Sequence, residues 1–569
     1  MDNRESSTTS ASLVIGVTGH RNLRQEEVPR LKSQIRDFFL ELKQRYPDLP
    51  LCLLSSLAAG SDQLAADVAL ELGMRVIAPL PMPVELYRSD FPETQSLAMF
   101  DQHPLHGEEA MLPIKKGNEP EAVAKPGRER DLQYAQAGIF ISSHCHILLA
   151  LWDGRESELL GGTAQVVSFH LQGNMPGPID RRRAALGMLG LDEETLVYHI
   201  PAGRQDTAEH VIDAEHGQQG RWLTSDLELI HHDRMPDSFD LMFRRHAEFN
   251  LDWRKYTNSI ETTAEPPIQT ECPIQRLFHV ADWLAATYQH RVSRVLKTTY
   301  LLAALMGFAF IIYADVNSQD FMLYLFLAFF VAGLGVAGIA KRREWHRKYI
   351  DYRALAEGLR VQSFWRRAGI IDNSTPSFAH DNFLQKQDVE LGWIRNIMRA
   401  ASLDGMLTPA HSGPAEVTAV IDEWIGSQES AGQLQYYSAT AAKRTRLHRR
   451  SEFLGTVCLW LGIGISLLLV VFARQIDGNL QSFMVAAMGV LSVAAAVHEA
   501  YAYKKADKEL IKQYRFMQRI FSAAQRRLTV CKAVGEQRHI LRTLGEAALA
   551  EHAEWTLMHR ERPLEHSRI

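Results

Sequence analysis

The sequence has few cysteines, no dominant sign of charge and no apolar leader. Its five cysteines, Cys52, Cys145, Cys272, Cys458 and Cys531, are scattered, and no two stand at metal-ligand spacing. They read as reduced, mostly buried thiols of a protein that faces a cytoplasm. The 62 Lys and Arg against 67 Asp and Glu leave a net charge of −5, which argues against general nucleic-acid binding. The opening MDNRESSTTS has no hydrophobic core, so no cleaved signal peptide is expected.

Four stretches lack Asp, Glu, Lys, Arg and His altogether: Thr298–Ala314, Phe321–Ala340, Phe453–Ala473 and Leu480–Val497. Each is about 17–21 residues, near the length a helix needs to cross a bilayer. Buried core helices of a soluble protein are the alternative, but such helices carry some polar residues on one side. The mean hydropathy of −0.17 averages a soluble majority with this apolar minority. Basic residues flank the runs at Arg291, Arg294 and Lys297, at Lys341, Arg342 and Arg343, at Arg446, Arg449 and Arg450, and at Lys504 and Lys505. The short connections Asp315–Asp320 and Arg474–Asn479 hold only Arg474. The positive-inside rule then puts both termini and all large segments in the cytoplasm. Spans without an ionisable residue argue against a proton pump or charge-coupled transporter, and leave an anchor, a hydrophobically gated pore or a membrane-disrupting bundle.

The two hairpins read as a duplication. Glu344, Leu355 and Arg360 after the first have the same mutual spacing as Glu499, Leu510 and Arg515 after the second. In the second stalk Leu510, Tyr514, Met517, Phe521, Ala524 and Leu528 form a coiled-coil-like stripe, matched in the first by Trp345, Tyr349, Tyr352, Leu355 and Leu359. The stripes serve either subunit association, hence an expected homo-oligomer, or packing of the two stalks on each other. Gly333 and Ala337 form a small-residue pair that would let helices approach closely.

Residues 12–205 alternate apolar strands with amphipathic helices, which predicts an α/β fold with a parallel, Rossmann-like sheet. The predicted strands are Ser12–Thr18, Leu51–Ser56, Arg75–Leu80, Cys145–Leu151 and Thr195–Ile200, with helices over Glu27–Tyr46, Gln63–Leu72 and Tyr134–Ser142. Ligands of such sheets lie beyond the carboxyl ends of the strands. Three glycine-rich turns fall there: Gly16–Asn22, Ala58–Asp62 and Asp153–Thr163. Glycine lets backbone amides approach a phosphate, and a following helix N-terminus adds partial positive charge. The candidate ligand-binding residues are Gly16, Thr18, Gly19, His20, Arg21, Gly60, Ser61, Asp62, Arg128, Asp153, Gly154, Gly161, Gly162 and Thr163. Arg21 and Arg128 are candidate phosphate partners, and Asp62 either accepts from ribose hydroxyls or caps its helix. His20 could instead bond only its own loop, and His144 and His146 read as structural.

The run GVTGHRNL, then SLAAGSDQLAADVALELG, then HILLALWDG with GGTAQVV resembles the SLOG superfamily over about residues 12–205. That group includes DprA-like proteins, LOG phosphoribohydrolases and the amino-terminal region of TRPM channels. The hairpins, around WHRKYIDYRALAEGLRVQSFW, resemble SLATT-type two-helix membrane modules. The resemblance implies a sensor of a nucleotide-derived signal in bacterial stress or antiphage defence, with the inner-membrane part as effector and no other cofactor. LOG hydrolases carry a catalytic Glu after their glycine-rich turn and Thr, but here the helix reads TAQVVSF, Thr163–Phe169. Binding is therefore favoured over cleavage. Glu129 or Asp153 could substitute, which keeps a membrane-anchored nucleotide N-glycosidase as the alternative, and a non-sensing scaffold as a third reading.

The rest is expected to be connective. Residues 206–274 read as a polar, His-rich extension and linker, in which Asp213, His216, His231, His232 and Asp233 match no metal-ligand spacing. Residues 1–11 read as a disordered tail and 275–366 as the first hairpin with flanking helices. Residues 367–440 form a helical connector in which Trp393 and Trp424 pack two helices, 441–530 the second hairpin and stalk, and 531–569 a terminal helix or tail.

Overall fold

The computed structural model describes residues 10–91, 94–102, 109–115, 117–157, 159–175, 179–180, 195–205, 218–226, 228–263, 272–316, 320–371, 383–384, 389–407, 413–427, 431–472, 474–505 and 507–560. The chain divides into two compact units, Met1–Val280 with Glu357–His411, and Ala281–Ala356 with Ser412–Ile569.

The first unit is built on a mixed, mostly parallel sheet. Its strands are β1 (Leu13–Gly19), β2 (Leu51–Leu54), β3 (Arg75–Leu80), β4 (Glu109–Met111) and β5 (Ile147–Trp152). After a small hairpin of β6 (Asn174–Met175) and β7 (Ile179–Asp180) come β8 (Leu196–Pro201), β9 (Arg221–Asp226) and β10 (Glu228–His232). The order across the main sheet is β10-β9-β8-β5-β1-β2-β3-β4. All pairings from β8 to β4 are parallel, β9 adds antiparallel to β8, and β10 antiparallel to β9. The central strands LVIGVTG, LCLL and ILLALW are apolar runs because both faces are covered. Helix Val28–Arg45 buries Leu31, Ile35, Phe38, Phe39 and Leu42, the face read from the sequence. Phe38 stacks on Tyr198 of β8 at 4.2 Å.

Several sequence expectations change here. Residues 218–263 are no loop: β9, β10 and helix Asp237–Thr263 complete the sheet unit. The polar look came from one exposed strand edge and one exposed helix face. Asn250 in that helix accepts the Ala11 N–H at 3.0 Å and donates to the Ala11 carbonyl at 2.9 Å, so the chain is already ordered and buried at Ala11. Of the metal candidates, Asp213 and His216 lie outside the described residues; His231 and His232 form ladder pairs in β10. Residues 357–411 belong to this unit as well. His146 ties them in, accepting the Val14 N–H at Nδ1 (3.0 Å) and donating from Nε2 to the Asn396 carbonyl (2.8 Å). Trp393 packs near Phe249, whereas Trp424 meets Phe521 in the other unit, so the two tryptophans do not join one connector.

The second unit is helical. Four helices are long and apolar enough to cross a membrane: Pro273–Asp315, Asp320–Arg342, Gln433–Val471 and Gly478–Val530. The core-helix alternative fails, because the apolar windows stay almost entirely unburied by protein; Leu327, Trp460 and Phe483 lie exposed. Close helix approach falls at Gly307, where a Cβ would lie 2.6 Å from Val493, and not at Gly333, whose surroundings are open. The stalk stripes are covered by their own chain: Leu510 clusters with Ile350 and Trp555, with Tyr349 and Tyr514 packed against them. The terminal segment is a long helix, Val534–Arg560.

Candidate functional site

The strand order reverses between β1 and β5, since the chain winds outward from β1 through β2, β3 and β4 and then returns beside β1 as β5. Such a switch point opens a crevice at the carboxyl ends of the two strands. Gly19 and His20 end β1 there, and Asp153 and Gly154 follow β5.

The first two glycine turns lock together around His20. Its carbonyl accepts the Ser61 N–H at 3.1 Å and the Ser61 hydroxyl at 2.8 Å. A Cβ on Gly60 would lie 2.2 Å from the Arg21 carbonyl, and Gly60 has φ +83°, so a side chain is excluded twice. A Cβ on Gly19 would lie 2.4 Å from Ser61. Gly16 answers to packing instead, with Ile141 and Cys145 closing over it. Leu57, a non-glycine at φ +55°, bends the chain out of β2, its N–H donating to the Ser55 hydroxyl at 3.1 Å.

The His20 ring reaches across the switch point. Its Nε2 lies 3.3 Å from Asp153 Oδ1 and accepts the Asp153 N–H at 3.1 Å and the Arg204 Nε–H at 3.4 Å. Burial pulls the imidazole down to about 4, outweighing the raising pull of Asp153. The ring is therefore neutral near pH 7, with its proton on Nδ1, and Arg204 lies between two acceptors, 3.6 Å from Asp153 Oδ2. Asp153 Oδ1 also accepts the Arg155 N–H at 3.2 Å. Asp153 is thus a held, buried carboxylate that ties the loop after β5 to His20 and Arg204.

The third turn is the anion-friendly one. Helix Thr163–Gln172 starts after Gly161 (φ +73°) and Gly162 with no side-chain cap, and Thr163 at its first position is half-buried. The N–H of Ser61, at the other helix start, is bonded to the His20 carbonyl. In this helix, which carries no acid over Thr163–Phe169, the Gln165 Oε1 accepts the Gly161 N–H at 3.0 Å.

Asp62 turns inward. Its carboxyl accepts backbone N–H groups of Ala58 and Ser56 and is buried; burial pushes it up to about 7 against the pull of Arg21 and those amides. It holds its own turn and presents nothing to a ribose. Arg128 is exposed at the start of helix Arg128–His144, and the buried arginine is Arg130. Arg130 pairs with Asp90 at 2.7 Å and donates to the Leu86 and Val123 carbonyls, fixing the segment after β3. Glu129 is exposed. Thr18 is half-buried in ladder register with Ala150, and Gly154, at φ +78°, is exposed.

The sequence marks Tyr134 only as the start of a helix, yet the first and third turns both approach it. The Arg21 guanidinium sits 4.4 Å above its ring. A Cβ on Gly161 would lie 3.1 Å from its carbonyl carbon. Tyr87, which donates to the Ser56 carbonyl at 3.0 Å, has its ring 6.3 Å away. The buried Tyr134 hydroxyl has no hydrogen-bond partner among the described residues. Only the sum of these long-range neighbours marks it; neither Tyr134 nor Arg204 stands in a motif.

No protein-family model, curated protein or solved structure matches the chain.

Proposed function

We propose that the chain is a bacterial inner-membrane effector that binds a nucleotide-derived ligand at the β1–β5 switch point and answers by opening or disrupting the bilayer. In this reading the sheet unit is a SLOG-like, Rossmann-type sensor, both termini are cytoplasmic, and the setting is stress or antiphage defence. Phosphate lies on the uncapped Gly161–Thr163 helix start, with Arg21 near by. The ring of the ligand lies on Tyr134, where stacking tolerates any base. The absence of an acid from Thr163–Phe169, and Asp153 tied to Arg204 and the Arg155 amide, favour binding over cleavage.

The observation that carries the reading is helical continuity. Helix Pro273–Ile311 runs unbroken from residues of the sheet unit into the first apolar segment, and helix Trp345–Arg367 returns the same way. Each is braced by the other: Arg353 pairs with Asp282 at 2.7 Å, and Arg360 lies 5.0 Å over the Phe278 ring. A ligand shifts the bundle only through unequal affinity for its two states, and stiff connections carry that difference. The test is dye leakage from liposomes holding the full chain, across a panel of nucleoside phosphates and NAD. Ligand-dependent leakage is expected; leakage that ignores every ligand would refute the reading.

A further inference from the structure

The second apolar helix and its stalk are separate helices, Asp320–Arg342 and Trp345–Arg367, joined at Arg343 and Glu344. Nothing local calls for that break. The segment Lys341–Trp345 reads KRREW, with neither glycine nor proline, and its residues are ordinary helix formers. Yet Glu344 sits at φ +48°, a conformation that a side chain resists. The second hairpin supplies an internal control. Glu499, at the repeat position of Glu344, lies inside the unbroken helix Gly478–Lys505.

What differs is a set of contacts from the end of the chain. Asp351, in the second turn of the stalk and 1% exposed, pairs with Arg347 at 3.2 Å on one oxygen and Arg560 at 3.4 Å on the other. Arg347 also grips the Glu344 carboxylate at 2.8 Å. His346 bonds the His559 carbonyl at 3.2 Å, and Tyr349 meets Trp555 edge-on at 6.1 Å. Strained backbone persists only where its surroundings over-determine it; these contacts hold the first two turns of the stalk, and Arg347 carries them on to Glu344.

We propose that the last turn of helix Val534–Arg560 is a latch that holds the Glu344 joint bent, and that its release lets Asp320–Arg367 become one continuous helix. The joint is then a two-state element at the membrane end of the stalk, controlled by whatever engages or displaces the last turn of that helix. This holds whether or not the sheet unit binds a nucleotide.

The readout is hydrogen exchange on the full chain in detergent. The first-turn amides of a helix lack intrahelical acceptors, so Trp345, His346 and Arg347 exchange readily when the joint is bent. In Arg560→Ala they gain acceptors, and their protection is expected to rise roughly tenfold or more. General loosening would move it the other way. Glu344→Ala, at a half-buried residue, removes the Arg347 grip and is expected to give the same rise if Arg560→Ala does not fold. Adding Glu344→Gly to Arg560→Ala makes the bent joint free of strain and restores fast exchange. Unchanged or lower protection in Arg560→Ala and Glu344→Ala would overturn the latch.

Discussion

His20 Nε2 lies 3.3 Å from Asp153 Oδ1, yet the pair is not an ion pair at neutral pH. The imidazole accepts the Asp153 N–H instead, and desolvation keeps it neutral. The contact joins the loops after β1 and β5, so it ties the two strand ends of the switch point together.

That arrangement predicts a pH dependence. The folded pKa of about 4 lies below the ordinary 6.5, so the unfolded chain takes up the proton first. Stability is unaffected by this group above about pH 6.5 and falls as pH drops toward 4, by about 3 kcal/mol at most. His246 and His346, also lowered by burial, act in the same direction. In His20→Gln the fall in unfolding temperature between pH 7 and 4.5 should be smaller than in the parent.

Asp62 has the opposite sign. Its pKa of about 7 stands above the ordinary 3.8, so burial favours the protonated form. Its share of stability is full below about pH 4 and is lost as pH rises through 7, about 4 kcal/mol at most. Asp62→Asn should flatten that part of the profile between pH 5 and 8, as followed by thermal unfolding.

Gly60→Ala should be among the most damaging small substitutions. It forces a Cβ to 2.2 Å from a backbone oxygen at φ +83°. A loss of about 2–4 kcal/mol is expected, together with ligand binding. Gly73→Ala, also at positive φ but with open space around its Cβ, should cost about 1 kcal/mol. The difference in unfolding temperature between the two separates steric overlap from backbone strain.

Tyr134→Leu should weaken binding of nucleoside monophosphates about tenfold while leaving ribose 5-phosphate unchanged, because only the former has a ring to stack. Tyr134→Phe should keep the stack and lose less. Titration calorimetry on the full chain reads both. Equal losses for the two ligands would move Tyr134 from ring recognition to support of the turns.

The strands β1, β2, β3, β5 and β8 and the helix after β1 were legible because their signals are short-range: apolar runs, a helical stripe and punctuating glycines. The glycine turns were legible for the same reason. Which member of each turn does what was not. Arg128 and Arg130 stand two apart in one helix, and only the packing of the segment after β3 buries the second. Asp62 reads equally as a cap or a ribose acceptor until its turn folds back and supplies Ser56 and Ala58 amides. Residues 218–263 read as loop because edge strands and surface helices carry polar faces.

The sequence by itself determined that this chain couples an α/β sheet unit to four helices of membrane length, since uncharged runs and alternating strand and helix patterns are properties of neighbouring residues. Only the tertiary structure decided that Arg21 and Gly161 approach Tyr134, that the stalk stripes are covered from within, and that the helix breaks at Glu344. Each depends on groups far apart in the chain, such as Arg560 on Asp351 and Arg204 on Asp153. The free energy that selects them appears only when folding brings those groups together.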